Sequence, residues 1–186
     1  MINEALEFIR RELRVALAVS EPEVIADTPR ILAMPGAAAG VYISVVNVQQ
    51  DTAFRTHSSA EQRGIRSQYR EPPLHLNVDM LFAFAFPTYG ANLEHLSTTI
   101  DFFQLKPMFT PSTQEDTDAV PFPTVLDRMV FDMVNMNLAE LNNLWAAVGS
   151  PYLPSVVYRV RLAKAHPNAA AANPELTTIQ LDAALQ

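Results

Sequence analysis

The sequence predicts an α+β fold: a single mixed, mainly antiparallel sheet of four or five strands packed with about three helices. Three observations carry this. Residues 74–86 alternate with a period of two, residues 2–18 repeat apolar positions at helical spacing, and residues 155–163 alternate again.

The first element is an amphipathic helix over 2–18. Ile2, Ala5, Leu6, Ile9, Leu13, Ala16 and Leu17 follow i, i+3, i+4 spacing, and Glu7 and Arg11 stand four apart in the favourable order. Residues 20–39 hold Pro22, Pro29, Pro35 and Gly36, so they are expected to be mostly irregular, with a short strand at Val24–Ala26. The run VYISVVNV, residues 41–48, is rich in β-branched residues and reads as a strand apolar on both faces, hence central. Residues 50–72 read as a polar loop, of a length that is usually functional or disordered.

From Leu74 to Phe86 every even position is apolar. The odd positions begin polar (His75, Asn77, Asp79) and end apolar (Leu81, Ala83, Ala85). This predicts a strand with one face always buried and a second half buried on both. Pro87 ends it, and residues 90–104 predict a helix whose inner face carries Leu93, Leu96, Ile100 and Phe103. Pro107 and Pro111 bracket an extended piece around Met108 and Phe109, and 112–123 is a loop. Val125–Met136 reads as a strand. Asn137 then opens a short helix, with Glu140 at the capping-box position, Gly149 as the stop, and Leu138, Leu141, Leu144 and Trp145 on its apolar side. In 155–163, Val156, Tyr158, Val160 and Leu162 face one way and Ser155, Val157, Arg159 and Arg161 the other. The expected division is a domain over 1–163, then a linker and C-terminal arm over 164–186 whose LTTIQLDAALQ stretch is suited to adding a short strand or docking on a neighbour.

Composition narrows the function classes. Of 186 residues, 49% are hydrophobic and 18% charged, enough to fill one core without a staple. The absence of cysteine removes disulfides, thiolate catalysis and cysteine–zinc sites. A formal net charge of −7 disfavours nucleic acid as a partner. The longest apolar run, residues 80–86, is far short of the roughly 20 residues of a membrane span. Glu4, Glu7, Arg10, Arg11, Glu12 and Arg14 interrupt the N-terminal stretch where a signal peptide would be apolar, so cytoplasmic synthesis is expected.

No constellation points to catalysis, a cofactor or a metal, and the protein is expected not to be an enzyme. His57, His75, His95 and His166 have no partner at metal-ligand spacing. Asp79 and His75 share a strand face roughly 13 Å apart, too far for an acid–base pair. Glu115, Asp116 and Asp118 lack the glycine and terminal glutamate of a calcium loop. Phe82, Phe84, Phe86, Phe102 and Phe103 read as core between a strand and the next helix. The alternative is a small-ligand or adaptor binding module with an aromatic pocket around Phe82, Phe84 and Phe103. Charge carries the remaining signal. Arg55, Arg63, Arg66 and Arg70 lie in the 50–72 segment, whereas 112–118 holds Glu115, Asp116 and Asp118 and no base. In a head-to-tail ring such segments would meet across subunits or contact the structure being capped; otherwise they are two solvated loops.

The stretch PPLHLNVDMLFAFAFPTYGANLEHLSTTIDFFQLKPMF, residues 72–109, resembles the N-terminal domain of the cap (tail terminator) proteins of contractile injection systems, the antifeeding-prophage and virulence-cassette type of phage-tail-like particle. The matching features are Pro72, Pro73, Leu74, Leu76 and Asn77, the apolar end Leu81–Phe86, and Phe102, Phe103, Gln104, Pro107 and Phe109. The opening helix, Leu138–Trp145 and SPYLPSVVYRVRL at 150–162 continue the resemblance, so that it covers about 1–163. It departs where family strands carry an aromatic pair and this chain has Asp79 and Met80. Some family members also continue into a second domain, which is not expected here. The resemblance implies a fold like phage tail terminator subunits and a non-catalytic structural role. A ring, expected to be a hexamer, would close the distal end of tube and sheath, end polymerisation and anchor the sheath. The implied partners are further copies of the chain and the tube and sheath proteins, with neither nucleic acid nor direct membrane insertion. The assembled particle would be released or stay inside the cell.

Overall fold

The computed structural model describes residues 1–19, 23–34, 36–51, 60–63, 66–69, 75–112 and 121–164. In chain order its elements are α1 (Ile2–Leu17), β1 (Val24–Ile25), a 3-10 turn (Pro29–Ala33), β2 (Gly40–Gln50), β3 (Ala60–Arg63), β4 (Arg66–Tyr69), β5 (His75–Ala85), α2 (Tyr89–Leu105), β6 (Met108–Phe109), β7 (Leu126–Met133), α3 (Leu138–Val148) and β8 (Ser155–Lys164). The principal sheet has six strands in the order β1-β2-β5-β8-β7-β6, slightly more than expected, because the short pieces at 24–25 and 108–109 both pair. Only β1–β2 is parallel. The 50–72 segment is not simply a loop. β3 and β4 pair within it as an antiparallel two-stranded ribbon.

The even positions of β5 (Val78, Met80, Phe82, Phe84) enter the larger core beneath α1 and α2, with Val156, Tyr158, Val160 and Leu162 of β8 beside them. Leu81 and Ala83 face the opposite way, where they meet Tyr42, Val157 and Trp145 of α3. Helices therefore cover both faces of the sheet's end nearest Phe84. Aromatic rings fill the larger core. Phe103 stacks on Phe131 at 4.3 Å between centroids, and Phe82 meets Phe103 and Tyr158 edge-on at 5.5 and 5.8 Å. Such contacts add to the area burial of each ring.

Several local expectations shift. β2 is buried only from Gly40 to Ser44; from Val45 it runs past β1 and most of it is exposed, so it is not apolar on both faces throughout. In α1, Phe8 is buried, meeting Phe109 and Phe122 edge-on, and Glu7 pairs with Arg10 at 3.0 Å rather than with Arg11. In α2 Phe103 is buried and Leu96 and Ile100 pack against the core as expected, but Asn92 and Thr99 are buried with them while Leu93 is 40% exposed. The helix is rotated because Asn92 Oδ1 accepts the Phe86 N–H at 2.6 Å, closing the end of β5, and the Thr99 hydroxyl donates to the His95 carbonyl at 2.8 Å. Both polar side chains enter the core with a hydrogen bond satisfied. In α3 the capping box forms as expected and Gly149 ends the helix at φ 71°, but Leu138 stands 84% exposed in the first turn.

Gly40 fixes the start of β2. Its φ is 152°, and a Cβ there would lie 2.2 Å from the Glu23 carbonyl oxygen, the atom that accepts the Val41 N–H and joins β1 to β2.

The rotation of α2 is tested by two truncations. Phe103→Ala is expected to lower unfolding free energy by about 3–5 kcal/mol and Leu93→Ala by less than about 1 kcal/mol in urea titrations. Equal losses would place Leu93 in the core.

Candidate assembly surface

Of the charged residues proposed to meet across subunits, Arg63 and Arg66 are register partners beside the turn of the β3–β4 ribbon. Arg55, Arg70, Glu115, Asp116 and Asp118 lie outside the described residues, as do His57 and His166. The structure thus brings two of the four arginines together on one hairpin.

The remaining sequence candidates have structural positions. His95 stacks on Phe86 with centroids 4.1 Å apart. His75 opens β5. Phe82, Phe84 and Phe103 are at most 2% exposed and packed among other rings, so the aromatic-pocket alternative is corrected: these side chains fill the interior. Among the described residues two surface clefts lie elsewhere, one between α1 and residues 121–125 and another lined by His75, Arg128 and Arg161. Among the described residues no group of three or more His, Cys, Asp or Glu is placed to hold a metal ion. No helix among them is long and apolar enough to cross a membrane.

Sequence reasoning missed the main polar feature. On the half of the sheet that α3 leaves uncovered, Asn47, Asp79, Arg159 and Asp132 stand side by side across β2, β5, β8 and β7. Arg159 Nε donates to Asp79 Oδ1 at 2.7 Å and its Nη2 to Oδ2 at 3.1 Å; the Asn47 amide reaches the same Oδ2 at 3.0 Å. Arg161 bridges back to Asp132 at 2.7 Å. Signs alternate along this row. Two features pointed to it: Asp79 is an acid within a largely apolar strand, and Arg159 sits on the non-core face of β8. In the next row the Asn77 Oδ1 is buried without a partner among the described residues, as is Trp145 Nε1 of α3. Burial pushes the Asp79 carboxyl up. The hydrogen bonds from Arg159 and Asn47 and the Arg159 charge together outweigh it and hold the group below its ordinary value. With both oxygens engaged, Asp79 is a fixed anion locking strand register rather than a proton-transfer group.

A carboxyl depressed in the folded state contributes stability above its unfolded value, near pH 4, and that contribution is lost as pH falls through the folded value. Asp79→Asn is therefore expected to cost about 1–2 kcal/mol at pH 7, at the lower end for a charged hydrogen bond because Arg159 is 41% exposed. The gap from the parent should narrow below about pH 4 in denaturant titrations. A gap independent of pH would remove the ion pair as its cause.

Two solved structures share the fold. The sheath/tube terminator of an extracellular contractile injection system, PVC, in its extended state aligns with a TM-score of 0.58 and 17% identity, over 100% of this chain and 65% of that one. The anti-feeding prophage cap, AFP tube terminating cap, aligns with a TM-score of 0.53 and 16% identity, over 94% of this chain and 59% of that one. The chain thus spans less than two thirds of either matched chain. A comparison with curated proteins finds no match. The model of the Pvc16 N-terminal domain family matches residues 4–178, and the chain belongs to that family.

Proposed function

We propose that this protein is a structural cap subunit of a contractile injection particle, closing the end of tube and sheath as a homo-oligomeric ring and carrying out no catalysis. The observation that carries the reading is the coincidence of the family match over 4–178 with a fold shared with a sheath/tube terminator and a tube-terminating cap over 100% and 94% of the chain. The site chemistry agrees: Asp79 is committed to Arg159 and Asn47, and the aromatic residues are core. The subunit divides into a compact domain over 1–163 and an arm over 164–186. It is synthesised in the cytoplasm, and its partners are its own copies, six to a ring, with the tube and sheath proteins.

In this reading the ring contact joins opposite charges. Arg55, Arg63, Arg66 and Arg70 of one copy face Glu115, Asp116 and Asp118 of the next, a heterologous contact of the kind that closes a ring. Changing all four arginines to Glu is expected to weaken ring assembly at least about tenfold in sedimentation or light scattering, with circular dichroism unchanged. Changing Glu115, Asp116 and Asp118 to Lys in the same chain should restore assembly. Assembly that survives the first set of changes, or ignores the second, would remove these segments from the interface. A monomer that binds neither tube nor sheath protein would remove the cap reading.

A further inference from the structure

The sheet is covered unevenly. α1 and α2 lie under one face, and α3 covers the other around Tyr42, Leu81, Ala83 and Val157. Toward His75 no described helix lies over that second face. An antiparallel sheet can leave such a face to water. On this half Asp79 is held by Arg159 and Asn47, and Asp132 by Arg161. A guanidinium carries five N–H groups, so donors remain on Arg161, which is 45% exposed. Arg128 is placed beside it by a bulge between Leu126 and Arg128. The extra residue keeps Leu126 in the core with Met129 and Phe131 and turns Arg128 to the open face with Val130. Arg128 has no ion-pair partner among the described residues. Asp127, the bulged residue, stands beyond it at the start of β7. Arg128 pairs with Ala163, two positions from Arg161, so the two arginines are about 8 Å apart between Cα atoms. Together with Val130 they line one cleft.

A complementary surface lies on the opposite side of the subunit. α2 turns Asn92, Thr99 and Phe103 inward. Its outer crest is therefore Gly90, Glu94, Ser97, Asp101 and Leu105, at i, i+4, i+7, i+11 and i+15, and all five are exposed. Tyr89–Leu105 contains no lysine or arginine. Glu94 and Asp101 have no base three or four residues away and no ion-pair partner among the described residues, so no such pair ties them to their own helix. Seven residues of helix set them about 10 Å apart, a spacing that the side chains of Arg128 and Arg161 can match. Leu105, 87% exposed, adds an apolar contact at the end of the crest. The crest points away from one face of the sheet and the arginines from the other. The two surfaces cannot meet within one chain, but they can meet between copies.

We propose that the crest of α2 in one copy docks on the open half of the sheet in the next, with Glu94 and Asp101 set against Arg128 and Arg161. Each copy offers both surfaces, so the contact is heterologous and repeats from copy to copy, as a ring requires. It gives the uncovered half of the sheet the helix layer that α3 gives the other end. The proposal rests on the homo-oligomeric part of the cap reading and names a surface through which copies meet.

The chain has no cysteine, so cross-linking can be placed at will. Ser97→Cys marks the crest and Val130→Cys the open face, and both leave the four charges intact. A short bismaleimide is used with and without tube and sheath proteins, because a disulfide would need Cα atoms within about 7 Å. The chain carrying both cysteines is expected to give a ladder of covalent dimers, trimers and larger species on denaturing gels. Either single variant alone should give none, and a mixture of the two should give dimers. Adding Glu94→Lys and Asp101→Lys to the double-cysteine chain should lower the linked fraction at least about tenfold with circular dichroism unchanged. Assembly seen by sedimentation without a ladder would overturn this contact and leave the cap reading standing. A chain that is monomeric and unlinked under every condition would overturn both. Linking through Ser97→Cys alone would show α2 meeting its own counterpart, and linking indifferent to the lysines would remove the charge pairing; each overturns the proposal.

Discussion

The fold rests on β5. It is hydrogen-bonded along both edges, by β2 and β8, and from Val78 to Phe84 both of its faces are buried. A strand so enclosed has one permitted register. A slip of one residue would turn Met80, Phe82 and Phe84 away from the core beneath α1 and α2 and drive Asp79 into it. Burying an unpaired carboxylate costs far more than any contact such a slip would gain. Apolar packing on the even face and ion pairing on the odd face therefore enforce the same alignment.

The two ends of the sheet consequently differ. Around Phe84 the sheet is a layer between helices, with Trp145 and Tyr42 on one side and Phe103 on the other. Toward His75 no described helix lies over the second face, which carries the Asn47–Asp79–Arg159–Asp132 row. With Arg161, which bridges to Asp132, two acids meet two bases, so that face presents alternating signs rather than a single field. Like the buried amide of Asn92 at the end of β5, the row places polar groups where the backbone needs fixing, each held by partners from neighbouring elements.

Most of this was written in local patterns. The period-two run of β5, the helical spacing of α1 and the capping box of α3 each involve residues within a few positions of one another, and each element formed as read. The errors arose where a distant partner decided the outcome. Leu93 reads as core on a helical wheel, yet Asn92 and Thr99 claim the inner side because Asn92 closes β5. The β3–β4 ribbon escaped notice because AEQR and RSQY have no apolar alternation to reveal a strand. Asp79 and Arg159 are 80 positions apart, and only the β5–β8 register brings them together. The arginines and acids chosen as an interface were read from charge alone, and only Arg63 and Arg66 fall in elements the structure describes.

Strand order also governs when the molecule can come into being. β8 is the last strand among the described residues but lies in the middle of the sheet, between β5 and β7. During synthesis the central strand, with Met80 and Phe82 already made, waits about 75 residues for the neighbour that covers its open edge. At typical elongation rates that is roughly 4–15 seconds. For that interval a long apolar edge is available to any other nascent chain. The chain is thus most vulnerable to mispairing before residue 164 leaves the ribosome, which ties correct folding to translation speed and chaperone supply as well as to the stability of the finished domain.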